Sequence, residues 1–169
     1  MKTSKEIDRR DFIKRAAVLT SAAYGIPSII PSSVLGQNGN ISPSNRVTLG
    51  SVGVGSMGKN DMKSLMRAKG VQVLAVCDVV EKRRQEAKGI VDAYHKNQDC
   101  RMYGDFRALL ARDDIDAISI TTQDHWHALV TVAAAKAGKD MYCQKPLGMT
   151  VQESQVMRDT VRRYGRVFQ

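Results

Sequence analysis

At 169 residues and 43% apolar composition, the chain has the material for one buried core and is too short for two well-formed domains. Lysine and arginine outnumber aspartate and glutamate by 26 to 17, a formal charge of +9, yet Lys2, Lys5, Arg9, Arg10, Lys14 and Arg15 all crowd into the N-terminal stretch. The other cations are scattered and aromatic residues make up only 5%, so the charge reads as solvated surface and no nucleic-acid partner is expected.

Asp8-Arg9-Arg10-Asp11-Phe12-Ile13-Lys14 leads a moderately apolar run, Ala16 to Ile30, broken by Pro27 and followed by Pro31. The paired arginines, the apolar residue beyond them and the following lysine resemble a twin-arginine export signal, with Asp8 a small departure at the preceding polar position. Residues 1–36 are therefore expected to be such a signal, engaging the twin-arginine export machinery and sending the protein to the periplasm or outside the cell. An amphipathic N-terminal helix is the alternative. Two prolines and several serines argue against a stable membrane span. Residues 37–45, rich in Gly, Asn, Ser and Pro, read as a flexible lead into the domain.

From Arg46 onward the pattern alternates strand and helix. Val47, Leu49 and Val52 supply a strand that runs into Gly53-x-Gly55-x-x-Gly58, and Met62, Leu65 and Met66 follow at helical spacing. This reads as a dinucleotide-binding turn. Gly53 permits the tight turn, Gly55 lets bare backbone approach a pyrophosphate, and Gly58 lets the new helix pack close to the sheet. The amides of Ser56 and Met57 then sit at the positive end of that helix, which suits a diphosphate. A second strand, Val71–Cys77, ends in Asp78, where this fold places the carboxylate that holds the adenosine ribose. A carboxylate accepts from a ribose 2′-OH and repels a 2′-phosphate, so NAD is favoured over NADP, although Arg83 and Arg84 stand close enough to receive a phosphate.

Glu81 to Lys96 reads as a helix, Arg101–Tyr103 as a third strand, and Asp105 as the cap of a helical turn, Phe106 to Ala111. Asp116–Thr121 is a fourth strand, short and apolar as if covered on both faces. An alanine-rich helix to Ala137 follows, with Gly138 at its end, then a fifth strand, Lys139–Cys143, and a last helix, Val151 to Tyr164. Gly165 to Gln169 reads as a sixth strand just beginning. The expected fold class is α/β, a Rossmann-type parallel sheet with helices on both faces, over an incomplete domain spanning 46–169. Cys77, Cys100 and Cys143 read as buried thiols, and His125 and His127, two apart on a helix, do not share a metal, so no metal is expected.

Strand, Gly-x-Gly-x-x-Gly, Cys-Asp, Thr-x-x-His-x-His and Tyr-Cys-Gln-Lys-Pro-Leu together resemble the Gfo/Idh/MocA oxidoreductases over Arg46 to Gln169. The resemblance implies that Lys145 is catalytic, contacting the nicotinamide ribose and the reacting hydroxyl, and that Thr121, Thr122, Gln123, His127 and Gln144 also line the cofactor. Gln144 departs from the family's glutamate before the lysine, and Gln123 stands where proline is common. The resemblance further implies NAD as cofactor, a sugar or cyclitol substrate, a homo-oligomeric complete protein, and a second domain that this chain lacks, so that the chain alone is expected to be inactive. Two alternatives stay open. Some relatives are glycosidases that oxidise C3 transiently with NAD, and a non-catalytic dinucleotide-binding module would carry the same turn.

Overall fold

The computed structural model describes residues 41–169; the expected signal, 1–36, and the lead as far as residue 40 lie outside the described residues. Within the remainder of that lead, Pro43–Asn45 form a short 3-10 turn. Beyond it run β1 (Val47–Val52), α1 (Ser56–Met66), β2 (Val71–Cys77), α2 (Glu81–His95), β3 (Arg101–Tyr103), α3 (Phe106–Leu110), β4 (Ala117–Ile120), α4 (Asp124–Lys136), β5 (Asp140–Cys143) and α5 (Val151–Arg163). The strands form one five-stranded sheet in the order β3-β2-β1-β4-β5, and every pair is parallel. Past α5 the chain joins the free edge of β5: the Met141 and Cys143 amides donate to Val167 and Gln169 carbonyls at 2.9 and 2.8 Å, the start of the expected sixth strand.

Parallel strands need crossover helices, and these cover both faces of the sheet. α1 and α2 bury Met62, Met66, Ala87 and Val91 against Leu49, Val73 and Val76. On the other face Phe106, Leu109 and Leu110 of α3 and Val130, Ala134 and Ala135 of α4 pack on Val52, Ile118 and Ile120, with Val161 of α5 added. Each fully buried Met, Leu or Ile contributes about 1.5–3 kcal/mol of burial. Helix ends obey local chemistry. Asp105 accepts the Arg107 amide, and α5 opens with a capping box in which Thr150 accepts the Glu153 amide and Glu153 accepts the Thr150 amide.

One irregularity escapes the period-two reading of β2. Val73 pairs with Leu49 but Ala75 pairs with Gly50, so Leu74 is an extra residue that flips the strand's facing. Val73 therefore faces α1 and α2 whereas Ala75 and Cys77 face α3 and α4. Arg112, paired with Asp114, donates to the displaced Leu74 carbonyl at 3.1 Å.

Cys77, Cys100 and Cys143 are all free thiols. Burial is the main cause that pushes Cys77 up to about 12 and Cys100 and Cys143 to about 11. Since only the thiolate reacts, a thiol-specific reagent near neutral pH is expected to label none of them within minutes in the folded domain and all of them after denaturation. Rapid native labelling of any one, read by mass spectrometry, contradicts this packing.

Candidate dinucleotide site

The sheet order reverses between β1 and β4, and a crevice opens there at the carboxyl ends of the strands, the usual ligand position in such sheets. The ends are stitched together by backbone bonds: Gly53 N–H to Cys77 carbonyl at 2.8 Å, Thr121 N–H to Val52 carbonyl at 2.9 Å, and Gln144 N–H to Ile120 carbonyl at 2.9 Å. Gly53, Asp78, Thr121, Thr122, Gln144 and Lys145 are thereby brought to one edge.

The glycines divide their work as their spacing predicts. Gly53 has φ +82°, and a Cβ there would lie 2.5 Å from the Thr121 carbonyl oxygen. A Cβ on Gly58 would fall 1.8 Å from the Gly53 carbonyl oxygen, so α1 packs on the turn only because that position has no side chain. Gly55 differs: its missing Cβ would point toward open space, with Arg83 Nη1 the nearest atom at 3.9 Å. Ser56 and Met57 are exposed in the first turn of α1, where helical amides have no intrahelical acceptor.

Asp78 is buried. Its Oδ2 accepts the Val54 amide at 3.1 Å and its Oδ1 the Val80 amide at 2.9 Å, so the acid holds the glycine turn in place and keeps further lone pairs free. Arg84 donates to the Asp78 backbone carbonyl at 2.7 Å and is committed there. Arg83 is half-exposed at the rim, 3.8 Å from Asp78 Oδ1, a weak pairing.

On the β4 and β5 side, Thr121 Oγ1 and Gln144 Nε2 both donate to Asp61 Oδ2, each at 3.0 Å. Asp61 belongs to none of the motifs described above. Its signal was its place one helical turn after Gly58, on the face of α1 that turns to the sheet. Thr122 carries a buried hydroxyl with no partner in the protein, and Gln123 is exposed at the N-cap of α4. His127 is wholly buried: Nδ1 lies 2.7 Å from the Pro146 carbonyl oxygen and Nε2 3.1 Å from that of Thr122. Neither nitrogen reaches the surface, so His127 bears on a ligand through the turns it holds. Lys145 is exposed, and a cis peptide bond joins it to Pro146. Among the described residues no group of three metal-ligating side chains converges.

An open approach at Gly55, unsatisfied helix amides, an acid with spare lone pairs and an orphaned threonine hydroxyl fit a dinucleotide. A parallel sheet in this order with this turn defines an NAD-binding Rossmann domain. The chain belongs to the Gfo/Idh/MocA oxidoreductase family: the model for the oxidoreductase family, NAD-binding Rossmann fold, matches residues 47–169. It is 30% identical over 171 residues to a glycosyl hydrolase family 109 protein from Shewanella putrefaciens, covering 93% of this chain and 37% of that protein. It is 34% identical over 118 residues to inositol 2-dehydrogenase from Salmonella typhimurium, covering 69% of this chain and 34% of the relative. Among solved structures, myo-inositol dehydrogenase from Lactobacillus casei in complex with NAD(H) and myo-inositol superposes with a TM-score of 0.65 at 26% identity, over 73% of this chain and 36% of the other. The chain thus spans 34–37% of the length of these relatives.

Proposed function

We propose that this chain is the cofactor-binding part of an exported, NAD-dependent enzyme acting on a hydroxyl of a sugar or cyclitol. The observation that carries the reading is the meeting, at one crevice, of the glycine turn, the ribose acid Asp78 and the turn bearing Lys145. Gly53, Gly55, Gly58, Ser56 and Met57 would hold the diphosphate. Asp78 would hold the adenosine ribose, and Thr121, Thr122, Gln123 and the turn at Gln144 would shape the nicotinamide side. NAD, when bound, accepts hydride from carbon. Lys145 Nζ would hydrogen-bond the hydroxyl on that carbon and help to move its proton. The twin-arginine motif supports export, and names among the relatives support a polyol or glycoside substrate.

A second reading has its own observation. The likeness to the glycosyl hydrolase covers 93% of the chain and so runs on ahead of residue 47, whereas that to the inositol dehydrogenase covers 69%. This favours transient oxidation at C3 followed by elimination, with no net redox change. Incubating the complete enzyme with NAD, cyclitols and aryl glycosides separates the two. Accumulating NADH supports the dehydrogenase, aglycone release without NADH supports the glycosidase, and neither product from a broad panel overturns both.

Asp78→Asn is expected to weaken NAD binding about 10- to 100-fold, the value of a charge-assisted bond, and to narrow the preference for NAD over NADP. Calorimetric titration with both dinucleotides measures it. Unchanged affinity would remove Asp78 from the ribose.

A further inference from the structure

Where α1, β4 and β5 meet, Asp61 joins Thr121 and Gln144 of the crevice edge in a polar cluster. Asp61 Oδ2 accepts from Thr121 Oγ1 and from Gln144 Nε2, each at 3.0 Å, while Gln144 Oε1 accepts the Lys145 backbone N–H at 2.8 Å. An ionised carboxylate only accepts hydrogen bonds, whereas a primary amide both donates and accepts. The side chain at 144 is asked to donate toward α1 and to accept from the next peptide. Glutamine satisfies both demands. A glutamate would set one carboxylate oxygen against another at hydrogen-bond distance, where both cannot readily ionise.

We propose that Asp61 is a positioning residue of the active site: acting through Gln144 it holds the backbone of Lys145, and it is the reason an amide rather than a carboxylate precedes that lysine. The turn is then gripped from two sides, by Asp61 through Gln144 and by His127 through the Pro146 carbonyl, 2.7 Å away. The departure at Gln144 and the presence of Asp61 are one feature, a matched pair. In so far as it concerns turnover, the proposal rests on the reading of Lys145 given above; the pairing itself does not.

The test is a cycle of Gln144→Glu, Asp61→Asn and the double variant, each followed by thermal unfolding with NAD across the range from about pH 4 to about pH 8. In Gln144→Glu the facing carboxyls share a proton whose folded-state pKa is raised. That arrangement costs nothing below the unfolded value near 4.3, and its stability is lost as pH rises through the raised value. The single variant is therefore expected to melt with the unaltered chain at the acid end and roughly 5–10 °C below it at the alkaline end. The double variant is expected to recover most of that loss, because an amide nitrogen in the place of Asp61 Oδ2 has two protons to donate, one to the carboxylate at 144 and one to the Thr121 hydroxyl oxygen. Titratable neighbours in this corner are Lys145, in the same turn, and His127, on α4; both are unchanged throughout the cycle.

In the complete enzyme, kcat for Gln144→Glu at alkaline pH is expected to fall about tenfold with little change in KM for NAD, and to return in the double variant. A Gln144→Glu chain whose melting follows the unaltered chain at every pH overturns the pairing, as does a double variant no more stable than the single. If the single variant does not fold above neutral pH, the yield of folded double variant replaces the melting point and decides in the same way. Thermal coupling without any effect on kcat overturns the positioning role. Lys145→Ala, assayed alongside, tells the failures apart: lost turnover there leaves the Lys145 reading intact, and retained turnover removes it.

Discussion

Gly58→Ala is expected to abolish the folded domain or leave it barely stable. A Cβ at this position lies 1.8 Å from the Gly53 carbonyl oxygen and 2.9 Å from its carbon, and both are backbone atoms within the turn. Gly53 cannot readily yield, because its own Cβ position is crowded by the Thr121 and Thr122 backbone and its φ is +82°. Relief requires α1 to back away from the sheet, taking buried Met62 and Met66 with it. Such a displacement belongs with the most damaging single substitutions, on the order of 4–5 kcal/mol, against a typical total of about 5–15 kcal/mol.

Gly55→Ala is the matched control. Its φ of −66° suits any residue, and no neighbour comes nearer its Cβ position than 3.9 Å. The variant is expected to melt within a few degrees of the parent yet to lose about 100-fold or more in NAD affinity, because the added methyl occupies the space through which a pyrophosphate approaches the helix amides. Thermal unfolding and calorimetric titration of the two variants side by side resolve fold from binding. The division of roles is refuted by a Gly55→Ala chain that binds like the parent, or by a Gly58→Ala chain that melts with it.

The second large effect belongs to Lys145. In the complete enzyme, Lys145→Ala is expected to lower kcat about 10²- to 10⁴-fold, the usual worth of a positioned proton-transfer group, while NAD affinity changes only a few-fold. The split is the informative part. Lys145 is exposed on this domain, and the turn keeps its shape through Gln144, Asp61 and the Pro146 carbonyl rather than through the ammonium. Truncating the side chain therefore leaves the dinucleotide cradle standing. A parallel loss in affinity and turnover would make Lys145 a binding residue, and unchanged turnover would take it out of the reaction.

Much of the fold was legible because its signals are local. Apolar residues at 62, 65 and 66 mark one helix face, the runs ending at Val52, Cys77 and Cys143 mark strands, and Asp105 and Gly138 mark helix ends where they were expected. The flip in β2 was hidden. Val71-Gln-Val-Leu-Ala-Val-Cys77 is apolar enough to look the same with or without an extra residue, and only Arg112, reaching the Leu74 carbonyl from beyond α3, shows why the bulge is held. His127 was expected near the cofactor by its motif; its complete burial between two carbonyls is a property of the packed α4 and the β5 turn.

Taken alone, the amino-acid order determined the alternation of strands and helices, the glycine bend and the acid at the end of β2, since each depends on residues within a turn or two of one another. Tertiary structure decided the rest. The order β3-β2-β1-β4-β5 lays the ends of β4 and β5 beside the glycine bend, and it brings Asp61 to Thr121 and Gln144 across separations of 60 and 83 residues. Periodicity and turn chemistry act over one helical turn or one strand, whereas a hydrogen bond between distant segments exists only after the sheet has chosen its neighbours. For that reason the residue that steadies the lysine turn left only a faint trace in the sequence and stands plainly in the fold.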